Sequence, residues 1–329
     1  MVVASTSVLS LTVASTLLQA GIAAVIISSF LVDAAAVAER NSAVSEDKND
    51  PTSGSSGSCP QIWSQVASQL KSDFSGCNDF ARSAIRFAFH DAAGYSSSNS
   101  QYAPASGGAD GSLLLNDDEI SRNTEAPMKE NYRDPYLLPF YQKYKGQGVG
   151  AADLVQFAGA VGIKSCRGGP TVRAVVGRKD SNQAAPQGTL PAAFGQGSDY
   201  DSLIQLWGQK GISPRELAAL MGARTVSISF TEDANGIPPG SPQDSDPTVW
   251  DNHYYTQTQS QKEPWGVHSF ASDVNLSNAT TECGQAFTDF GKDSATWILK
   301  FSAAMQKLSL LGIDSETVSG FTDCTSLIS

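Results

Sequence analysis

Arg86 and His90, in the run Arg86-Phe87-Ala88-Phe89-His90-Asp91, are spaced so that both fall on one face of a helix. A histidine in that position can take a proton from one oxygen of a peroxide and return it to the other. A fixed guanidinium beside it stabilises the charge that develops on the departing oxygen. Such chemistry needs a metal beneath the pair. Taken alone, the same two residues also suit a surface ion pair and a core histidine satisfied by a backbone carbonyl.

About twenty residues downstream, Gly107-Gly108-Ala109-Asp110-Gly111-Ser112 turns tightly and exposes one carboxylate and one hydroxyl. Hard oxygen donors of this kind suit calcium. Two later stretches read by themselves as ordinary loops: the turn-rich Val176-Gly177-Arg178-Lys179-Asp180-Ser181 with Pro186 to Pro191, and the acidic Asp244-Ser245-Asp246-Pro247-Thr248-Val249-Trp250-Asp251.

The elements that must position these residues are mostly helical. Ile62, Val66, Leu70 and Phe74 recur every fourth residue, as an amphipathic helix requires, and Ser75-Gly76 closes it. A second helix is expected from about Asn78 to Gly94, and another begins at Asp153-Leu154-Val155. Ser213-Pro214-Arg215-Glu216 has the form of an N-cap, a first-turn proline and a capping glutamate before Leu217–Met221. A last long helix runs from about Ser294 to Leu311. Strand signals are short, the best being Thr171–Val176 and Val226–Phe230. No internal repeat is present.

With 40% apolar residues the chain can bury a sizeable core, and a formal net charge of -11 argues against nucleic acid or an anionic membrane surface as partners. Val8 to Val32 is apolar without Lys or Arg, and Ala36-Val37-Ala38 offers a small-x-small cleavage site. Residues 1–38 are therefore expected to be a secretory signal peptide, with an uncleaved anchor helix as the alternative. Residues 39–58 read as a flexible linker or propeptide, and a folded domain is expected over 59–329. Five cysteines suit an oxidising compartment and leave one over. Asn275-Leu276-Ser277 and Asn278-Ala279-Thr280 are glycosylation sequons.

Taken in order from Cys59 to Cys324, these motifs resemble the plant, fungal and bacterial haem peroxidases, and the secreted fungal branch in particular. The resemblance implies a mainly α, two-lobed fold with long loops, haem b, two calcium ions, a monomeric state and secretion. It implies that hydrogen peroxide oxidises small aromatic donors at the haem edge, with His90 as acid–base, Arg86 as charge stabiliser, Phe89 walling the pocket and the segment ending at Pro191 lining the entrance. It assigns one calcium to Asp91, the Gly108 carbonyl, Asp110 and Ser112. The other goes to Thr225, Asp244, Asp246, the Val249 carbonyl and Asp251. It also pairs Cys77 with Cys166 and Cys283 with Cys324, leaving Cys59.

The chain departs from the family at the residue that should bind iron from below. Leu217-Ala218-Ala219-Leu220-Met221-Gly222-Ala223-Arg224 matches a family run that ends in histidine. A guanidinium has no lone pair to offer a metal. Asp273 matches the carboxylate that normally orients that histidine, so an Arg224–Asp273 ion pair is expected in its place, and His268 is a candidate substitute ligand. Glu125 stands where relatives keep an asparagine against the acid–base histidine, with Asn123 as a nearby replacement. Asp79, Ser83 and Phe230 do not make a manganese site, and Ala219 replaces a surface tryptophan used in electron transfer. A catalytically inactive binding protein on this fold is the competing reading.

Overall fold

A computed structural model describes residues 58–97, 107–230 and 235–329. Both the expected leader and nearly all of the linker lie outside these residues. Helix α1 (Ile62–Asp73) buries Trp63, Val66 and Leu70, and Gly76 ends the turn after it with a left-handed φ of 74°. Helix α2 (Asp79–Ala93) carries Arg86 and His90, and its start is fixed by Asn78, whose side chain accepts from Ala81 N at 3.1 Å.

Helix α3 (Ala151–Ser165) is buried on every side from Ala151 to Ile163, as expected of a helix that is apolar all round. It packs closely along α2 because two of its positions are glycine. A Cβ on Gly159 would lie 2.6 Å from Ala88 Cβ, and one on Gly162 would lie 2.6 Å from the Ala81 carbonyl oxygen. No side chain fits there. The α2 helix is thereby held as a rigid plate with His90 at one end.

The opposite wall of the site is built by helices α4 (Tyr200–Gly208), α5 (Pro214–Met221), α6 (His253–Ser260), α7 (Ala271–Leu276), α8 (Glu282–Lys292) and α9 (Ser294–Leu308). The capping box read from the sequence starts α5: Ser213 Oγ accepts from Glu216 N at 3.3 Å, and Glu216 Oε2 accepts from Ser213 N at 2.8 Å. Lys307 on α9 reaches the same glutamate at 2.9 Å. At the far end of α5, Trp297 Nε1 donates to Ala219 O and Tyr255 Oη to Ala218 O, at 3.1 and 2.8 Å, covering carbonyls where the helix tightens into a 3₁₀ turn. That turn, Gly222–Val226, presents Arg224.

Sheet structure is smaller than the sequence suggested. β1 (Val175–Val176) pairs antiparallel with β2 (Thr322–Asp323), so only the end of the expected 171–176 strand forms one. Val226–Phe230 is not a strand: its first residue ends the 3₁₀ turn and Ile228 makes an isolated bridge to Pro242. The apolar run there lines a cavity.

Cys77–Cys166 joins the start of α2 to the end of α3, with Cα atoms 4.4 Å apart. The second bridge corrects the expectation. Cys324 pairs with Cys59 at a Cα separation of 5.1 Å, and the free thiol is Cys283. Cys283 lies in the first turn of α8 and is wholly buried. Cys324 instead follows β2, and its N donates to Ala174 O at 2.8 Å beside β1. Among the described residues no helix is long and apolar enough to cross a membrane.

Candidate active site

A cleft of about 510 Å³ lies between α2 and the turn after α5. One wall carries Arg86, Phe89 and His90, and the other Leu220, Met221, Arg224 and Phe270. Its lining contains Arg82, Arg86 and Arg224 but no carboxylate among the described residues. In an acidic chain this is a cationic, largely apolar slot.

On the α2 wall, His90 Nδ1 lies 2.9 and 3.0 Å from the two carboxylate oxygens of Glu125. Arg86 Nε donates to His90 Nε2 at 3.4 Å. The tautomer follows: Nδ1–H donates to the carboxylate, and Nε2 keeps its lone pair towards Arg86 and the cleft. Glu125 is 1% exposed at its side chain. Asn123, weighed as a partner for His90, lines the cleft instead. Burial holds His90 below its ordinary value, opposed by Glu125 and reinforced by Arg86 and Arg224. Burial raises Glu125, but His90 and Arg86 pull it below the usual carboxylate range. Phe89 stands edge-on to His90, ring centres 4.9 Å apart, and stacks on Trp207 of α4 at 5.7 Å.

On the opposite wall, Arg224 Nε lies 3.4 Å from Asp273 Oδ2. Nη1 donates to Gln243 at 3.2 Å, and the guanidinium sits 4.7 Å above the Phe270 ring. Asp273 is fully buried and also accepts from Tyr254 Oη at 3.0 Å and Ser272 Oγ at 2.9 Å. The pair expected from the sequence is therefore formed, with Tyr254, Ser272 and Gln243 as partners no motif announced. His268 is not among the cleft residues; its backbone N donates to Pro242 O.

The turn-rich stretch before Pro191 divides. Leu190 and Pro191 line the cleft. Arg178 is instead buried against Asp153 at 3.0 Å, and Asp180 accepts from Ala151 N and Ala152 N at the start of α3. Asp79 pairs with Arg82 at 2.5 Å.

Two oxygen-rich groups flank the cleft. Asp91, wholly buried, accepts from Gly111 N and Leu113 N at 3.2 and 3.3 Å. Burial, with Asp110 and Glu119 close by, pushes its carboxyl well above the usual range. Ser112 Oγ is buried without a hydrogen-bond partner. Crowded acids and an orphaned hydroxyl are what a hard cation would satisfy. The Gly108 carbonyl accepts from Asp110 N at 2.8 Å in the same loop. In the second group Thr225 Oγ1 bridges Asp244 Oδ2 and the Val249 carbonyl at 3.2 and 3.3 Å. Ligand atoms of Asp244, Asp251 and His253 lie within 4.8 Å of one another. The Asp246 carboxylate does not join them. It accepts from Thr248 Oγ1 at 2.6 Å and faces Arg167 at 3.9 Å, while His253 joins unannounced.

The peroxidase family profile matches residues 64–293. A peroxidase of Arthromyces ramosus is 28% identical over 81% of this chain and 75% of its own length. Manganese peroxidase 3 of Phlebia radiata is 29% identical, covering 77% and 71%. Ligninase LG6 of Phanerodontia chrysosporium is 34% identical, covering 68% and 58%. The match covers Arg86, His90, Arg224, Asp273 and both acidic groups, and the chain accordingly belongs to the peroxidase family.

Proposed function

We propose that the cleft holds haem b and serves the oxidation of small aromatic donors by hydrogen peroxide, with turnover limited by Arg224. The observation that carries this reading is the α2 wall: an imidazole anchored on a buried carboxylate, a guanidinium 3.4 Å from its free nitrogen, and an aromatic ring edge-on beside it. The slot fits a flat anionic macrocycle in size, apolarity and charge. It does not supply an imidazole from the Arg224 side.

Haem, when bound, supplies the redox-active iron at which peroxide is reduced. The protein's own part is proton movement and charge. His90 Nε2 takes the proton from the near oxygen of peroxide, Glu125 neutralises the imidazolium so formed, and the proton passes to the far oxygen as Arg86 stabilises its charge. Phe89 and Trp207 keep that region dry. The residue that would hold the iron belongs to the opposite wall, and Arg224, which stands there, has no lone pair to give. The acidic groups at Asp91, Asp110 and Ser112 and at Thr225, Asp244, Val249 and Asp251 would hold calcium and brace the two walls.

The Arg224–Asp273 pair favours a second reading, a non-catalytic member that retains the cleft for binding. Secretion behind a leader over 1–38, a linker to residue 58 and a monomeric state complete the proposal. The test is steady-state oxidation of a phenol by peroxide in the haem-loaded chain and in Arg224→His. Turnover that appears or rises in the variant supports the reading; turnover absent from both, with haem bound, favours the non-catalytic one.

A further inference from the structure

We propose that the cleft, when free of haem, also hydrolyses small aromatic esters, with His90 as general base for a water molecule and Arg86 holding the developing oxyanion. The reaction is independent of the haem reading: it needs no metal and asks nothing of the Arg224 wall. Glu125, buried at its side chain, accepts from His90 Nδ1–H at 2.9 Å. This contact fixes the ring and leaves Nε2 as the base turned to the cleft. Arg86 Nε stands 3.4 Å from Nε2, longer than an ordinary hydrogen bond. A water and a carbonyl oxygen placed between the two find a proton acceptor on one side and a fixed cation on the other.

The rest of the cleft suits such a substrate. In a space of about 510 Å³, Phe89 and Trp207, stacked at 5.7 Å, give an aromatic ring an apolar wall. No carboxylate lines the cleft among the described residues, so the carboxylate product meets no like charge. Of the lining hydroxyls, Thr124 donates to Glu125 and Ser272 to Asp273, and Ser227 follows the turn that carries Arg224. Water, not a side chain, is therefore the nucleophile. Its oxygen bonds to the carbonyl carbon as its proton passes to Nε2. The carbon–oxygen bond to the alcohol then breaks, and the imidazolium gives its proton to the leaving oxygen. Ester and water become acid and alcohol, with nothing oxidised or reduced.

The experiment is hydrolysis of phenyl acetate by the hemin-free chain, followed by phenol release. The expected result is saturable turnover with a steady rate and no burst. His90→Gln and Arg86→Gln should each lower kcat/KM about 100-fold. Glu125→Gln should lower kcat and leave KM unchanged, because Glu125 positions the base without touching the ester. Added imidazole should restore turnover to His90→Ala, and His268→Gln, outside the cleft, should match the unmodified chain. Release no faster than in buffer overturns the proposal, as does an unchanged kcat/KM in a His90→Gln protein that circular dichroism shows folded. Neither result bears on the haem reading, since no hemin is present.

Discussion

Arg224 Nε and Asp273 Oδ2 lie 3.4 Å apart, so this buried carboxylate is committed to a cation. Replacing Arg224 by histidine returns an imidazole to this carboxylate. Peroxide-dependent oxidation of a phenol should rise at least about tenfold, the scale on which ligand-orienting partners act. Unchanged turnover in a haem-loaded Arg224→His protein would show that the wall is closed for another reason. Arg224→Ala should lower stability by about 2 kcal/mol, the worth of a hydrogen bond to a charged group, because Tyr254 and Ser272 still satisfy Asp273. Urea denaturation would measure it.

Calcium should stabilise the apo-protein. Asp91, Asp110 and Glu119 are crowded acids whose carboxyls burial holds above the usual range. A cation at a hundredfold excess over its Kd adds about 2.7 kcal/mol. Calorimetry with calcium and with chelator should show the transition moving up and down accordingly. Asp91→Asn should blunt the response, and a transition indifferent to calcium would dismiss the site.

Cys283 should behave as an inert core thiol. Burial pushes it up to about 12, so iodoacetamide at pH 8 should leave it unlabelled until the protein unfolds. Peptide mapping should recover Cys59 linked to Cys324. Cys59→Ser should cost up to about 5 kcal/mol, given the length of chain that this bridge closes. Native labelling at Cys283 would refute its inertness, and a Cys283–Cys324 peptide would refute the pairing.

Lys210 is buried and donates to Tyr95 O at 2.5 Å. Burial lowers it from 10.5 to about 8. Between those values the unfolded chain binds more protons at this site than the folded one, so its contribution to stability rises with pH. The melting temperature of the unmodified protein should gain on that of Lys210→Met from pH 8 to 10. Parallel curves over that range would count against a buried ammonium.

Asn278 should carry glycan in preference to Asn275. Its side chain is exposed and only its oxygen is engaged, by Thr280 at 2.9 Å. Asn275 Nδ2, the atom a glycan would need, donates to Ser198 O at 2.7 Å. Mass spectrometry of the protein secreted by a glycosylating host would decide, and occupancy at Asn275 alone would contradict this order.

What the sequence determined by itself was the local chemistry. The spacing of Arg86 and His90, the capping box at Ser213 and the small, tight loop around Asp110 are all statements about neighbours along the chain, fixed by helix pitch, side-chain donors and turn geometry, whereas the departure at Arg224 was legible only through the resemblance. What it could not determine were partnerships across the fold. Glu125 was visible as a departure, yet only the packing of its loop over α2 puts its carboxylate 2.9 Å from His90. Likewise the exchange of Cys283 for Cys59, the outward turn of Asp246 and the engagement of Asp273 by Tyr254 each depend on which surfaces meet. Those contacts join residues far apart in sequence, and their geometry is set by the close packing of helices that no single segment encodes.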